Sequence, residues 1–156
     1  MAGKTNAARL LEAAGIEFAL VEYPAGDDHL DAAAVADAIG AAPETVFKTL
    51  VAEGDDGEIR VFCIPGNQEL DLKKAARAAG CSRIHLVPVA RLKSLTGYIR
   101  GGCSPLAMTK TYPTYGDEVA GLYDSIYVSA GRRGLQLHLP PDDLVRAAGA
   151  TFADLV

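Results

Sequence analysis

The sequence predicts a protein of the α+β (α/β) class, built from a mixed, strongly curved β-sheet flanked by helices. Its 156 residues fit one domain, since typical domains contain roughly 100–150 residues. Hydrophobic residues make up 49% of the chain beside mixed charges, which is typical of a globular protein. Predicted hairpins alternate with helical crossovers, an order that favours this class. We therefore predict a single domain over residues 1–156.

The N-terminal part of the chain predicts two helices separated by a strand. Thr5 and Asp31 each precede a helical pattern of apolar residues that is closed by a glycine, as capped helices are. Between them, residues 16–23 alternate in the manner of a strand. A polar connection is expected over residues 24–28.

A β-hairpin is predicted in the middle of the chain. Residues 45–53 and 58–64 are β-branched and apolar runs, separated by Asp55, Asp56 and Gly57. Asp-Gly supplies the positive φ that a hairpin turn needs. The later elements predicted by the same reasoning are a helix over 71–80, a strand over 84–88, a helix over 88–97, strands over 125–131 and 135–139, and a helix that starts at Pro140.

Residues 98–117 interrupt this periodicity with Gly, Pro, Ser and Thr. A long stretch without periodicity is uncommon in a compact domain, and such loops are often functional. We therefore expect a functional loop here.

Charge and composition exclude several classes of function. A net charge of −5 argues against a general nucleic-acid-binding protein. Residues 91–133 carry six Lys/Arg against three Asp/Glu, which is compatible with a local contact to one end of a nucleic acid and equally with a solvated surface. The chain has no signal-type start and no run of about 18 apolar residues. We therefore expect a cytoplasmic protein without membrane contact.

The cysteines predict neither disulfides nor zinc. Cys63, Cys81 and Cys103 are odd in number, widely spaced and without a CxxC pair, so we expect reduced thiols and no metal. As a nucleophile Cys103 would need a nearby base, and the histidines form no recognisable triad signature with it. No P-loop or other cofactor motif is present, and we expect no cofactor.

Lys48 is the first candidate site residue. Strand alternation places it on one face with Val46 and Leu50, among apolar side chains. A half-buried ammonium is unfavourable unless it meets an anion or acceptors. The pattern therefore leaves two interpretations: a lysine on a pocket wall that faces an oxyanion or phosphate, or an edge-strand lysine that reaches water.

Two Gly-rich segments are the other candidates. In residues 101–105, Gly101 and Gly102 let backbone N–H groups approach a ligand, and Pro105 stiffens the exit, so the loop could bind an oxyanion. The Ser-Ala-Gly-Arg-Arg-Gly turn over residues 129–134 could present amides and guanidinium groups to phosphate. Ordinary tight turns would explain both segments as well.

Four segments of the chain form a further pattern when they are taken together in order and spacing. They are residues 46–50, 70–76, 96–106 and 126–135. Together they resemble the YbaK/EbsC family of Cys-tRNA(Pro)/Cys-tRNA(Cys) deacylases, relatives of the editing domain of bacterial prolyl-tRNA synthetases. The resemblance covers essentially the whole chain. It implies a barrel-like mixed sheet flanked by helices, the aminoacylated 3′ end of a tRNA as the partner, and prolyl-tRNA synthetase as a second partner, with no DNA.

The family resemblance also implies a mechanism in which the thiol of the substrate cysteine attacks its own ester, so that the protein supplies no nucleophile. Lys48 corresponds to the key lysine of the family and is expected to act by electrostatic positioning. The family's GxxxP loop matches residues 101–105, expected at the carbonyl or oxyanion. Gln136 stands where family members often carry an acidic residue. The expected catalytic residues are Lys48, Gly101, Gly102 and Pro105, and the expected substrate-binding residues are Tyr23, Cys103, Ser104, Ser129, Gly131, Arg132 and Gln136.

Two alternatives remain open from the sequence. A relative with the same fold could clear Ala-tRNA(Pro) or another mischarged tRNA with water as the nucleophile. A non-catalytic module that binds tRNA or a synthetase could also keep the fold.

Overall fold

The computed structural model describes residues 4–25 and 30–156. Residues 26–28 of the expected polar connection, and His29, lie outside the described residues. The described helices are α1 Asn6–Ala13, α2 Ala32–Ile39, α3 Leu72–Ala79, α4 Val89–Thr96 and α5 Pro141–Ala148. The described strands are β1 Ala19–Glu22, β2 Phe47–Gly54, β3 Ile59–Pro65, β4 Ile84–Leu86, β5 Thr114–Asp117, β6 Ile126–Ser129, β7 Leu135–Leu139 and β8 Ala150–Ala153.

The helix starts predicted from capping residues are confirmed. The Thr5 side chain accepts a hydrogen bond from the Ala8 N–H (3.3 Å), and the Asp31 carboxylate accepts one from the Ala34 N–H (2.8 Å). Helix α2 ends at Gly40, whose left-handed backbone (φ 70°) redirects the chain toward β2.

The strands form two sheets in the described part of the chain. One is antiparallel in the order β1-β7-β6, and the other is mixed in the order β4-β2-β3-β5-β8. A single parallel bridge between Val46 and Tyr127 joins them. The predicted α+β class with a mixed sheet is confirmed, but the two sheets do not close into a barrel. The predicted β2–β3 hairpin is also confirmed, with Gly57 at φ 80° in its turn.

The sequence patterns do not predict two of the described strands. Strand β5 lies at the end of the stretch expected as a loop over residues 98–117, and β8 follows the last predicted helix. Both pair in parallel, β5 with β3 and with β8. Parallel partners lie far apart along the chain, so these strands are specified by tertiary pairing and not by a local alternation.

The sheets and helices enclose separate apolar clusters. Helix α1 packs on the three-stranded sheet around Leu11, Leu135 and Leu137, while α3 covers one face of the mixed sheet at Phe62 and Ile64. No helix within the described ranges is long and apolar enough to cross a membrane. Helices α2 and α4 lie on either side of the outer edge of β2 and leave a cleft there.

Candidate active site

A cleft of about 460 Å³ opens along the outer edge of β2. Its walls come from the start of α2, from β2, from the segment joining β4 to α4, from the loop after α4 and from the facing ends of β6 and β7. Six of the predicted site residues line it. They are Tyr23, Lys48, Gly101, Cys103, Ser129 and Gln136.

The edge of β2 is open where it borders the cleft. The Gly54 N–H donates to the Glu58 carbonyl on the β3 side, whereas the Val51 carbonyl accepts from the Val87 N–H on the opposite side. Along β2, the backbone N–H and C=O groups of successive residues therefore point alternately toward β3 and away from it, and those of Thr49 point away from β3. Between the Val46 bridge and Val51, no strand in the described part of the chain pairs with that side. The Thr49 N–H and carbonyl consequently face the cleft.

Lys48 is half-buried on the cleft wall. Its ammonium makes no hydrogen bond or salt bridge with any described residue, although other cations such as Lys74 and Arg91 are paired. The structure combines the two interpretations of Lys48 drawn from the sequence. Lys48 lies on a strand edge that no described strand pairs, and it also lies on a pocket wall. An unpaired, partly desolvated ammonium is suited to a ligand anion or carbonyl oxygen.

The two Gly-rich segments pack directly on each other. A Cβ built on Gly102 would lie 3.0 Å from the Arg132 Cα and 3.1 Å from the Arg133 nitrogen, so a side chain here would press on the backbone of the turn. The Arg133 Nε donates to the Arg100 carbonyl (2.9 Å). Loop 101–105 and turn 129–134 therefore form one rigid rim of the cleft.

Tyr98 anchors this rim from behind. Its hydroxyl donates to the Leu106 carbonyl (2.6 Å), and its ring lies against Gly131, where a Cβ would approach to 3.1 Å. Burial raises the pKa of Tyr98 to about 12, so it remains a hydrogen-bond donor at neutral pH. The rim is thereby fixed without contribution from a ligand.

Loop 101–105 offers amide donors to the cleft. The Gly102 N–H donates a hydrogen bond to the Ile99 carbonyl (3.0 Å), but the Cys103 N–H has no hydrogen-bond partner among the described residues. Cys103 lines the cleft and is 7% exposed. Because buried N–H groups are almost always paired, an unpaired one beside a cleft is a candidate donor to a ligand oxygen.

Two buried polar residues, Tyr23 and Gln136, line one end of the cleft, which we call the closed end. Tyr23 and Gln136 are 7% and 4% exposed. The Gln136 Oε1 is buried without a hydrogen-bond partner, and no described residue bonds the Tyr23 hydroxyl. Ser129 lies opposite Gln136 in the β6–β7 pairing, and its Oγ accepts from the Gly131 N–H (3.2 Å). This end of the cleft can therefore form hydrogen bonds with a small polar ligand.

The other predicted residues lie off the cleft wall. Gly102, Ser104 and Pro105 are buried members of loop 101–105. The Ser104 Oγ accepts a hydrogen bond from the Leu106 N–H (3.2 Å). Gly131 packs on Tyr98, and the Arg132 side chain is exposed outside the cleft. Gly102, Ser104, Pro105 and Gly131 shape the rim, whereas the Arg132 side chain takes no part in the cleft wall.

The cleft contains no activated protein nucleophile in the described residues. Burial raises the pKa of the Cys103 thiol to about 11, with an opposing hydrogen bond from Thr96, so the thiol is protonated at neutral pH. His85 and His138 do not line the cleft. Burial lowers the pKa of His138, which stacks on Tyr127 at 4.0 Å. All three cysteines are free, and no described group of three metal-binding side chains is present.

Sequence reasoning missed several cleft residues. Gly66 closes one end, where a Cβ would meet the Ala32 Cβ at 2.0 Å, and the only local signal was the Pro-Gly pair after β3. Thr49, Leu86 and Val89 also line the cleft. The sequence holds no local signal for this, because the pairing of β4 with β2 positions Leu86 and tertiary packing positions α4, which begins at Val89.

The fold and cleft define a small α+β domain with a polar cleft, which is bordered by a lysine and by backbone amides that bond no described residue and by a glycine rim. The chain belongs to the aminoacyl-tRNA editing domain family, whose model matches residues 27–147.

Relatives with this fold include a bacterial protein and two solved structures. The chain is 43% identical over 152 residues, covering 97% of this chain and 93% of the other, to EbsC of Enterococcus faecalis, a candidate Cys-tRNA(Pro)/Cys-tRNA(Cys) deacylase. A candidate trans-editing enzyme for prolyl tRNA synthetase superposes with a TM-score of 0.83 at 30% identity, covering 98% of each chain. The hypothetical protein APE2540 gives 0.84 at 26% identity, covering 94% of this chain and 96% of that one.

Proposed function

We propose that this protein is a trans-editing deacylase that clears Cys-tRNA(Pro), acting as a single domain in the cytoplasm. The observation that carries the proposal is the Lys48 ammonium on a cleft wall, which bonds no described residue, in a chain 43% identical to EbsC. The name of EbsC and that of the prolyl-tRNA synthetase trans-editing enzyme support the same substrate class.

The proposed reaction uses the substrate's own thiol. The cysteine sulfur attacks the ester carbonyl, a C–S bond forms, and the C–O bond to the terminal ribose breaks. The thiol proton ends on the ribose oxygen, so the products are a cyclic thiolactone and uncharged tRNA. A protonated Cys103 and a cleft without histidine in the described residues agree with this scheme, because it needs positioning in place of a protein nucleophile.

Lys48 and the glycine loop supply the electrostatics in this proposal. The negative charge that develops on the carbonyl oxygen is stabilised by the Lys48 ammonium and by the Cys103 N–H of loop 101–105. Donors that are already unpaired and fixed need no rearrangement as the charge develops. Tyr98 and the contact of Gly102 with turn 129–134 keep the loop in place.

The closed end holds the aminoacyl group. The Gln136 Oε1 accepts a hydrogen bond from the substrate amine, and the Tyr23 hydroxyl donates to or accepts from the same group. The Gln136 Oε1 supports this assignment, because it is buried and no described residue supplies a hydrogen bond to it. Arg132, whose side chain is exposed on the rim, contacts a tRNA phosphate in this proposal. Prolyl-tRNA synthetase is the proposed second partner.

A substrate panel tests the proposal. We expect release of tRNA from Cys-tRNA(Pro), with thiolactone as the trapped product, and slower release from Ala- and Ser-tRNA(Pro). Inactivity on the cysteinyl substrate combined with hydrolysis of the alanyl one would instead establish water as the nucleophile. Tight tRNA binding without turnover of any substrate would establish a non-catalytic module.

A further inference from the structure

Ala107 has a backbone conformation that is unfavourable for alanine. Its φ of 59° makes it the one non-glycine residue with a positive φ in residues 4–25 and 30–156. The left-handed conformation is disfavoured for residues that carry a Cβ, so the surrounding contacts must hold Ala107 in it. Strained residues of this kind cluster at functional sites. Ala107 is separated from loop 101–105 by a single residue, Leu106.

The Tyr98 hydroxyl makes the contact that fixes this conformation. It donates to the Leu106 carbonyl oxygen (2.6 Å) and to the Ala107 carbonyl oxygen (3.3 Å). These consecutive carbonyls belong to the two peptide groups that flank Ala107. In an extended backbone, consecutive carbonyls point to opposite sides. One hydroxyl can therefore reach both carbonyls only when Ala107 has a helix-like conformation, which here is the left-handed one.

The chain is anchored on both sides of Ala107. Leu106 is 1% exposed within an apolar cluster, and the Thr109 N–H donates to the Thr96 carbonyl (3.1 Å). A change of φ at Ala107 would displace one of these two sides. On the Leu106 side, the displaced chain is loop 101–105.

The Tyr98 hydroxyl also joins the two ends of the loop, because Tyr98 precedes residues 101–105 and Leu106 follows them. Within the segment that this hydrogen bond closes, the Gly102 N–H donates to the Ile99 carbonyl (3.0 Å), and the Cys103 N–H has no described partner. Tyr98 itself does not line the cleft. It can therefore act on a ligand only through the loop.

We propose that Tyr98 is a positioning residue, whose hydroxyl holds Ala107 in the left-handed conformation and thereby keeps the Cys103 N–H in place for the oxyanion. For the reaction concerned, this inference rests on the proposed function. Tyr98→Phe keeps the ring against Gly131 and removes only the hydrogen bonds. Because the left-handed conformation is disfavoured about tenfold for alanine, Ala107 then leaves it in most molecules and loop 101–105 shifts with it.

Deacylation of Cys-tRNA(Pro) and amide hydrogen exchange test this role. Tyr98→Phe should lower kcat about tenfold at unchanged KM and speed exchange of the Gly102 N–H by a similar factor. Ala107→Gly alone should change neither, since glycine adopts a positive φ without strain. Combined with Tyr98→Phe, Ala107→Gly should restore kcat and Gly102 exchange to within about twofold of the parent. A hydroxyl that only stabilises the fold would not give this rescue.

Tyr112→Phe is the matched control. The Tyr112 hydroxyl also donates to a backbone carbonyl at 2.6 Å, that of Leu95 near the end of α4. Tyr112 is likewise half-buried and does not line the cleft. Its acceptor flanks no residue with a positive φ, so kcat and Gly102 exchange should keep the parent values even where the midpoint of urea unfolding falls.

Unchanged Gly102 exchange in Tyr98→Phe would overturn the positioning role. Equal losses of kcat in Tyr98→Phe and Tyr112→Phe, or no rescue by Ala107→Gly, would overturn it as well. These outcomes are separate from the deacylase proposal, because exchange is measured without tRNA. Rescued exchange in a protein that leaves every charged tRNA intact keeps the role of Tyr98 in the loop and refutes the proposed function. Full deacylation by Tyr98→Phe does the reverse.

Discussion

Asp117 and Gln136 are both polar and both almost completely buried, at 2% and 4% exposure, but their surroundings differ. The Asp117 oxygens accept hydrogen bonds from the Val119 N–H (3.0 Å) and the Leu155 N–H (2.9 Å). The Gln136 Oε1 has no partner in the described structure. A buried group with protein partners stabilises the fold, whereas an unpaired one on a cleft wall is available to a ligand.

The same contrast separates two cations. The Arg60 guanidinium donates to both oxygens of Asp56 (2.7 and 2.8 Å) and to the Ala79 carbonyl (3.2 Å). Lys48, also on the mixed sheet, has no such contact with a described residue. Arg60 therefore belongs to a structural region, and Lys48 to a region organised for a ligand. Substitutions in the two regions should separate stability from activity.

Lys48→Ala is expected to give the largest effect. Loss of a preorganised charge at a developing oxyanion lowers kcat about 10²–10³-fold, while the free energy of unfolding stays within about 0.5 kcal/mol of the parent because no hydrogen bond or salt bridge with a described residue is lost. Single-turnover deacylation and urea unfolding measure the two quantities. Lys73→Ala, at an exposed position of α3, is the matched control. Full activity of folded Lys48→Ala would remove Lys48 from the mechanism.

Asp117→Ala is expected to have the opposite profile. Its removal leaves the Val119 and Leu155 N–H groups unpaired in a buried site, which destabilises the protein by about 2–4 kcal/mol. Deacylation by the folded fraction should be unchanged, since Asp117 does not line the cleft. Urea unfolding measures the loss of stability, and a deacylation assay at low temperature measures the activity of the folded fraction. A loss of kcat at full stability would contradict the contrast between the two regions.

The helices and the central hairpin could be predicted because their signals are local. Asp31 and Asp71 cap their helices as their sequence positions indicate, and Gly57 adopts the positive φ that the turn requires. Strands β5 and β8 could not be predicted, because their pairing is parallel and joins segments distant in sequence.

The candidate site likewise contains residues that the sequence predicts and residues that only the tertiary structure reveals. Lys48 and Cys103 were predicted from motif and resemblance, and the structure brings both to one cleft. Leu86 and Val89 were missed, since the pairing of β4 with β2 places Leu86 at the cleft and the packing of α4 places Val89 there. Sequence therefore identified the polar half of the cleft, and the apolar half depends on tertiary structure.

Gln136→Leu tests the closed end with a smaller expected effect. Deacylation of Cys-tRNA(Pro) should fall about tenfold, the value of one hydrogen bond of about 1.4 kcal/mol, while stability is unchanged or higher because an unpaired buried acceptor is removed. Gln136→Glu keeps an acceptor at this position and should retain activity. Equal loss in both variants would assign Gln136 a packing role in place of substrate binding.

Asp56→Asn gives the smallest effect and concerns stability alone. The hydrogen bond from Arg60 lowers the pKa of Asp56 from 3.8 to about 2. Because the folded-state pKa lies below the unfolded value, this contribution to stability is present above pH 3.8 and is lost as the pH falls through about 2. Urea unfolding across this window should show a weaker pH dependence in Asp56→Asn than in the parent, with deacylation at neutral pH unchanged. An identical pH dependence in the two proteins would show that other carboxylates govern acid unfolding and that the Arg60–Asp56 pair contributes no measurable linkage.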